Sequence, residues 1–261
     1  MPFAVSAGAK VHFTDTGGDG PVVLLGHGFF MDADMFAAQA EALAPRSRVI
    51  AVDARGHGGT EDSGTPFGYW DLARDNWAVL DELGIDNAVV GGMSQGGVIA
   101  LRMALLNPPR VDGLVLIGTS DKAYTDKQKV GYREVMDTWT SDAPLVPLAK
   151  TMASVMIGGT DDDRQPWLDK WLSGDRDRLT LAADCLINRE SITDLVGDIT
   201  CPAVLVRGAG DQAFSDEDMT GLRDRLGGDA SLHTVPGATH AVNVTHPAEV
   251  NHVLAEFLDR L

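Results

Sequence analysis

Short runs of β-branched and leucine side chains alternate with longer stretches of helical period along the first 120 residues. Val22-Val23-Leu24-Leu25 is an unbroken apolar run opened by Pro21 and closed by Gly26, the mark of a strand buried on both faces. An Ala-rich helical stretch over 33–44 follows, then a strand at 48–52. Over 69–83 the side chains of Trp70, Ala73, Trp77 and Leu80 fall on one helical face, and Gly84 stops the helix. Strands at 88–90 and 113–117 bracket a helix over 96–106. After Ser120 the alternation lapses: residues 121–197 hold only helical pieces, interrupted by Pro144, Pro147, Gly158-Gly159, Pro166 and Gly174. It resumes with strands at 203–206 and 231–235, a helix at 216–226 and an amphipathic terminal helix over 247–261.

Strands and helices in alternation, joined by short connections, predict an α/β fold with a parallel sheet covered on both faces. The stretch 121–197 then reads as a helical insertion between two strands of one sheet, leaving 1–120 and 198–261 as the core. Its apolar side chains, among them Tyr132, Met136, Trp139, Met152, Met156, Trp167 and Trp171, are expected to pack it against that core. No internal repeat or low-complexity linker is visible.

Composition narrows the function classes. With 38 acidic against 21 basic residues the chain carries a formal charge of −17, opposite in sign to what a nucleic acid surface requires. No apolar run reaches the roughly 18 residues of a membrane span, and the N-terminus lacks the basic and apolar regions of a secretory signal. The expected setting is cytoplasmic, with neither membrane nor nucleic acid as partner; oligomeric state has no signature. Cys185 and Cys201 lack the Cys/His spacing of a zinc site; buried reduced thiols are the expectation, with a single bridge between them as the alternative.

The chemistry begins at Gly92-Met93-Ser94-Gln95-Gly96, a Gly-x-Ser-x-Gly set between an apolar strand and an Ala/Leu-rich helix. There the motif forms a strained turn that lifts a serine hydroxyl above the sheet edge. The flanking glycines are needed because two backbones approach too closely for a Cβ. A hydroxyl is a poor nucleophile until a base takes its proton. Of the seven histidines, His240 alone follows the last strand in a loop at the carboxyl edge of the sheet, where open α/β sheets bind ligands. The acid that orients it is expected at Asp211, in Gly208-Ala209-Gly210-Asp211 just past a strand; Asp121, at the end of the strand before the insertion, is the rival. Two backbone N–H donors for an oxyanion are expected at Gln95 and at Phe29, in the loop after the first buried strand. Phe30, Met93, Trp139 and Met156 are candidate walls of a substrate pocket.

On these residues the chain resembles the α/β-hydrolase superfamily over essentially its whole length. The matching pieces are Gly26-His27-Gly28-Phe29, the run from Val52 through Gly58, the Ser94 turn, Gly208 to Asp211, and Gly237 to His240 with His246-Pro247 behind. They are similar to those of small bacterial esterases, enol-lactone hydrolases, carbon–carbon bond hydrolases and cofactor-free perhydrolases. The resemblance implies a mostly parallel eight-stranded sheet with a helical cap inserted after the sixth strand. It also implies structural roles for Asp53, Arg55 and His57, which brace a loop near the active edge. Two departures stand out: His246 replaces an acidic residue frequent in relatives, and Ser94 replaces the aspartate nucleophile of haloalkane dehalogenases and epoxide hydrolases.

The resulting expectation is a serine hydrolase, an esterase or lactonase with a Ser94–His240–Asp211 triad, acting on a small-molecule ester or lactone through an acyl-enzyme and needing neither metal nor organic cofactor. Two enzyme alternatives use the same residues: hydrolysis of a carbon–carbon bond in a vinylogous diketone, and perhydrolysis as a side activity. A third alternative, of another class, is a ligand-binding receptor on the same fold that does not turn its ligand over.

Overall fold

The computed structural model describes residues 2–261. Its sheet is built from β1 (Phe3–Ser6), β2 (Ala9–Asp15), β3 (Val22–Gly26), β4 (Arg48–Val52), β5 (Glu61–Asp62), β6 (Ala88–Met93), β7 (Val111–Ile117), β8 (Ala203–Gly208) and β9 (Ala230–Val235). Eight of the nine run in the order β1-β2-β4-β3-β6-β7-β8-β9, and the two-residue β5 pairs with the edge of β2. From β4 through β9 every pairing is parallel; β2 is antiparallel to both β1 and β4. The expected count of eight thus holds along the path, with β5 as a short addition.

Helices α1 (Ala37–Leu43), α2 (Tyr69–Glu82), α3 (Gln95–Leu106), α8 (Asp216–Arg225), α9 (Val242–Thr245) and α10 (Pro247–Leu258) accompany the sheet. All six residues of β6 and of β8 are buried, as expected for central strands with helices on both sides. Of the three segments absent from the hydropathy pattern, β1 and β2 form the antiparallel edge and β5 is the two-residue strand paired to β2. In β2 the apolar alternation is broken by His12, which is buried because its Nδ1 lies 2.6 Å from Asp53 Oδ2.

Between β7 and β8 stand α4 (Asp126–Trp139), α5 (Leu145–Met152), α6 (Asp161–Ser173) and α7 (Thr180–Ile187), with no strand among the described residues. Two prolines expected to interrupt this region do not. Pro147 is the third residue of α5, where the N–H it lacks would have had no helical acceptor. Pro166 lies inside α6; the carbonyl it cannot serve, that of Asp162, is on an exposed residue that water reaches. Gly158 and Gly159, both at positive φ, do end a helix: α5 runs on as a wide turn through Ala153–Ile157 and stops there.

Candidate active site

Ser94 sits in the step from β6 to α3 with φ 52° and ψ −111°, a conformation that costs a non-glycine residue about 1–3 kcal/mol. The surroundings leave no alternative. A Cβ on Gly92 or on Gly96 would collide with the carbonyl of Gly26 at the end of β3, so three backbones meet there without side chains. The Ser94 N–H donates to the Ile117 carbonyl at 2.8 Å, and the Thr119 hydroxyl donates to the Ser94 carbonyl at 2.7 Å. The turn is therefore held from β3 on one side and from the end of β7 on the other.

Asp211 and His240 come together at the neighbouring strand ends. A turn from Gly208 to Asp211 follows β8, and a Cβ on Gly208 would strike the carbonyls of Ala238 and Thr239. Glycine at that position lets the two loops touch backbone to backbone, with Gly210 N–H donating to Ala238 O at 2.9 Å. His240 Nδ1 lies 2.9 Å from Asp211 Oδ2, both side chains almost fully buried. Asp211 Oδ1 accepts the N–H groups of Ala213 at 2.8 Å and Phe214 at 3.2 Å. Burial by itself would raise the Asp211 carboxyl; the bonds from His240, Ala213 and Phe214 outweigh it and hold the group below the ordinary carboxylate range. An ionised carboxylate only accepts, so the hydrogen of a neutral His240 resides on Nδ1. Its Nε2 is buried and has no hydrogen-bond partner, Ser94 included. The His240 ring and the Ser94 turn share a neighbour in Gly118-Thr119: a Cβ on Gly118 would lie 3.3 Å from Nδ1, while Thr119 is bonded to Ser94.

The rival acid is committed elsewhere. Asp121 is buried and accepts two bonds from Arg225, at 2.9 and 2.8 Å. The segment carrying His240 is tied to the helical insertion as well. Thr239 Oγ1 donates to Ile157 O and Ala241 N–H to Met156 O, using carbonyls that the end of the wide turn leaves free.

Gly28 to Met31 forms a tight turn, with Met31 N–H donating to Gly28 O at 3.1 Å. The same carbonyl accepts the His27 Nδ1–H at 2.8 Å, and Ala54 N–H donates to His27 Nε2 at 3.0 Å, which fixes that ring's tautomer. Because a peptide is planar and trans, clamping the Gly28 carbonyl aims the Phe29 N–H the opposite way. Among the described residues neither that N–H nor the N–H of Gln95, first residue of α3, is donated to a protein acceptor. A Cβ on Gly28 would lie 3.7 Å from the Ser94 Cβ, so this loop runs directly beside the serine.

His240 lines a cavity of about 420 Å³ whose other walls include Tyr124, Tyr132, Met152, Met156 and Gln212. No acidic or basic side chain lines it apart from the imidazole. Met156 was expected at a pocket; Tyr124, Met152 and Gln212 were not, and nothing local in the sequence distinguishes them from packing residues. Phe30 and Trp139 line a different cavity of about 770 Å³, in the seam between α6 and the loops after β3 and β4. Met93 is fully buried, its sulfur beneath Gly28, and faces neither cavity.

Asp53, Arg55 and His57 form a brace behind this edge. Asp53 accepts the N–H groups of Ala33 and Gly59 as well as His12, and Arg55 makes two bonds to Asp75 at 2.7 and 2.9 Å. His57 donates Nδ1–H to Arg55 O, and burial drives its pKa down to about 3. The cysteines are unpaired, and burial pushes the Cys185 thiol up to about 12. Among the described residues no group of three or more His, Cys, Asp or Glu could hold a metal ion, and no helix is long and apolar enough to cross a membrane.

The sequence profile of the alpha/beta hydrolase fold matches residues 21–247. The pimeloyl-[acyl-carrier protein] methyl ester esterase of Chromobacterium violaceum is 31% identical over 254 residues, covering 95% of this chain and 98% of the relative. A 2-hydroxy-6-oxononadienedioate/2-hydroxy-6-oxononatrienedioate hydrolase of Cupriavidus pinatubonensis is 30% identical over 266 residues, covering 95% and 90%. Among solved structures, a thermophilic esterase from Thermogutta terrifontis superimposes with a TM-score of 0.90 at 25% identity, over 99% of this chain and 98% of that one. The enol-lactonase of Burkholderia xenovorans shares the fold, with a TM-score of 0.87 at 21% identity over 99% and 100% of the two chains. Profile, relatives and architecture agree: the chain belongs to the alpha/beta hydrolase family.

Proposed function

We propose that this hydrolase cleaves a small carboxylic ester or lactone through an acyl-enzyme, with Ser94 as nucleophile, His240 as general base and Asp211 as the acid that orients it. The observation that carries the reading is the state of His240. Its Nδ1–H is committed to Asp211, its Nε2 is buried without a partner, and it stands at the same strand edge as the strained Ser94 turn. An imidazole so placed accepts a proton at one atom only.

In the proposed reaction the Ser94 oxygen attacks the carbonyl carbon while its proton passes to His240 Nε2. The carbonyl π electrons move to oxygen, and the N–H groups of Phe29 and Gln95 hold that oxyanion. The imidazolium then protonates the leaving alkoxide as the bond from carbon to it breaks, leaving an acyl-serine. Water, deprotonated by His240, releases the acid and restores Ser94. The helical insertion, residues 121–197, acts as a cap that roofs the cavity beside His240.

Walls of phenol, thioether and amide with no charge favour a neutral, largely apolar substrate. They offer no cation to the carboxylates of a dicarboxylate diketone, which sets the ester reading ahead of carbon–carbon cleavage. The esterase among the relatives points the same way.

The test is pH-stat hydrolysis of a panel of lactones, alkyl and aryl esters and one vinylogous diketone, by wild type and Ser94→Ala. Expected are turnover of neutral esters or lactones and a fall on the order of 10⁶ in kcat in the variant. Near wild-type rates in Ser94→Ala sink the mechanism, and a diketone turned over faster than every ester moves the chain to the other chemistry.

A further inference from the structure

Phe30 is, with Ser94, one of two non-glycine residues at positive φ among the described residues. At φ 70° it takes the third position of the Gly28–Met31 turn, a place that suits glycine and opposes a side chain. Something outside the turn must hold it, and the contacts come from the insertion. Trp171 in α6 donates its indole Nε1–H to the Phe30 carbonyl at 2.6 Å. The Phe30 ring packs at 4.4 Å between centroids on Trp139 of α4 and at 6.0 Å on Trp171. One residue before Trp171, Lys170 reaches both Asp32 (2.7 Å) and Asp34 (2.7 Å), just past the same turn.

The bond network runs from this contact to the proposed oxyanion donor in two steps. The Phe30–Met31 peptide is pinned at its carbonyl by Trp171 and at its N–H by the Gly28 carbonyl. The Gly28–Phe29 peptide takes that second bond beside the one from His27 Nδ1–H and is planar, so its own N–H direction follows from the two together. We propose that Trp171 is a positioning residue: by holding the Phe30–Met31 peptide in its strained orientation, it aims the Phe29 N–H at the oxyanion and couples seating of the insertion to turnover. This rests on the serine-hydrolase reading above. A Trp171 that merely packs the insertion on the core would affect substrate binding or stability and leave the oxyanion donor where it is.

The experiment uses Trp171→Phe, which deletes the indole N–H and keeps an aromatic ring, on a neutral aryl ester in the full-length enzyme. Alongside kcat and KM it measures the affinity of an arylboronic acid, whose tetrahedral adduct on the serine places an oxygen where the oxyanion forms. A displaced donor is expected to lower kcat about 10- to 100-fold, with KM within about threefold and boronate affinity falling in parallel. The same substitution is then made in a Phe30→Gly background. Glycine adopts positive φ without help, so the effect of Trp171→Phe should shrink to less than about threefold there. A folded Trp171→Phe with kcat within twofold of wild type overturns the proposal. So does a loss confined to KM, or a loss of equal size in both backgrounds. Should Trp171→Phe unfold on its own, the pair compared on Phe30→Gly decides alone: a loss there above threefold overturns it. If wild type neither hydrolyses the ester nor binds the boronate, the serine reading itself has failed and the proposal falls with it.

Discussion

Substituting Asp211 by asparagine isolates a hydrogen from a charge, and the structure dictates which way the amide must face. Oδ1 of Asp211 accepts two backbone N–H groups, from Ala213 and Phe214. An asparagine NH₂ placed there would face two donors, so the amide oxygen takes that site and the NH₂ turns to His240. His240 Nδ1, now opposite a donor, must accept, and its hydrogen moves to Nε2. In that tautomer the imidazole has no lone pair for the Ser94 proton. The analogous substitution in serine proteases lowers kcat by about 10⁴, which at 1.36 kcal/mol per decade is about 5.4 kcal/mol of barrier. Asp211→Asn is therefore expected to lose about four decades in kcat on a saturating ester, with a change in unfolding free energy of only about 1–2 kcal/mol as charged bonds become neutral ones. Steady-state rates and urea unfolding on the same preparation separate the two. Asp121→Asn is the companion variant: it breaks the pair with Arg225 and should cost stability while leaving kcat within a few-fold. Asp211→Asn retaining more than a tenth of wild-type kcat would refute the tautomer argument, and the reverse pattern would hand the acid role to Asp121.

Three further outcomes follow, one from a buried histidine behind the site and two from glycines. His57 has a folded pKa of about 3 against an ordinary 6.5, so between those values the unfolded chain binds a proton that the folded chain refuses. Stability should then fall as pH drops from about 6.5 toward 3, by about 1.4 kcal/mol per unit; urea unfolding at pH 6, 5 and 4 should show a slope shallower by that amount in His57→Asn, and parallel slopes would rule it out. Gly96→Ala places a Cβ on the Gly26 carbonyl, backbone that cannot yield, and should destabilise by about 3 kcal/mol or more; Gly131→Ala in α4, with nothing within 4 Å, should stabilise by up to about 1 kcal/mol. A wild-type urea midpoint for Gly96→Ala would show that the three-backbone contact can relax.

The central strands were legible because burial on both faces makes them continuous apolar runs, and Pro21 with Gly26, or Pro202 with Gly208, keeps Val22–Leu25 and Val204–Val206 too short for helices. The edge was not. β1 is four residues long, and β2 contains a histidine whose burial depends on Asp53, forty-one positions away. Proline misled for the opposite reason: its rule concerns helix interiors, and Pro147 sits where the N–H is dispensable while Pro166 opposes a carbonyl open to water. That Ser94, Asp211 and His240 lie at neighbouring strand ends was readable from the order of the strands, with Gly92, Gly96 and Gly208 marking points where backbones meet. The pocket walls lacked any such mark. Tyr124, Tyr132 and Met152 reach the cavity from an insertion whose helices could be docked in several ways on pattern alone, and Phe30 and Trp139 line a different cavity from Met156.

Backbone strain collects at two points beside the site. The two non-glycine residues at positive φ among the described residues, Ser94 and Phe30, flank one small region, and each is held by contacts from elements distant in sequence. Ser94 is held by the ends of β3 and β7, Phe30 by α4 and α6. Such conformations persist only where the surroundings over-determine them, and here the surroundings are of two kinds. The serine is fixed by backbone–backbone contact inside the sheet, which cannot slacken without breaking the core. The Phe29–Phe30 loop is fixed from the core by His27 and from the insertion by Trp171, a bond that a shift of one helix would release. On the proposed mechanism the nucleophile is held by the sheet alone, whereas the loop of the oxyanion donor is held jointly by His27 and Trp171, so loss of the insertion's bond should weaken that donor while leaving Ser94 in place.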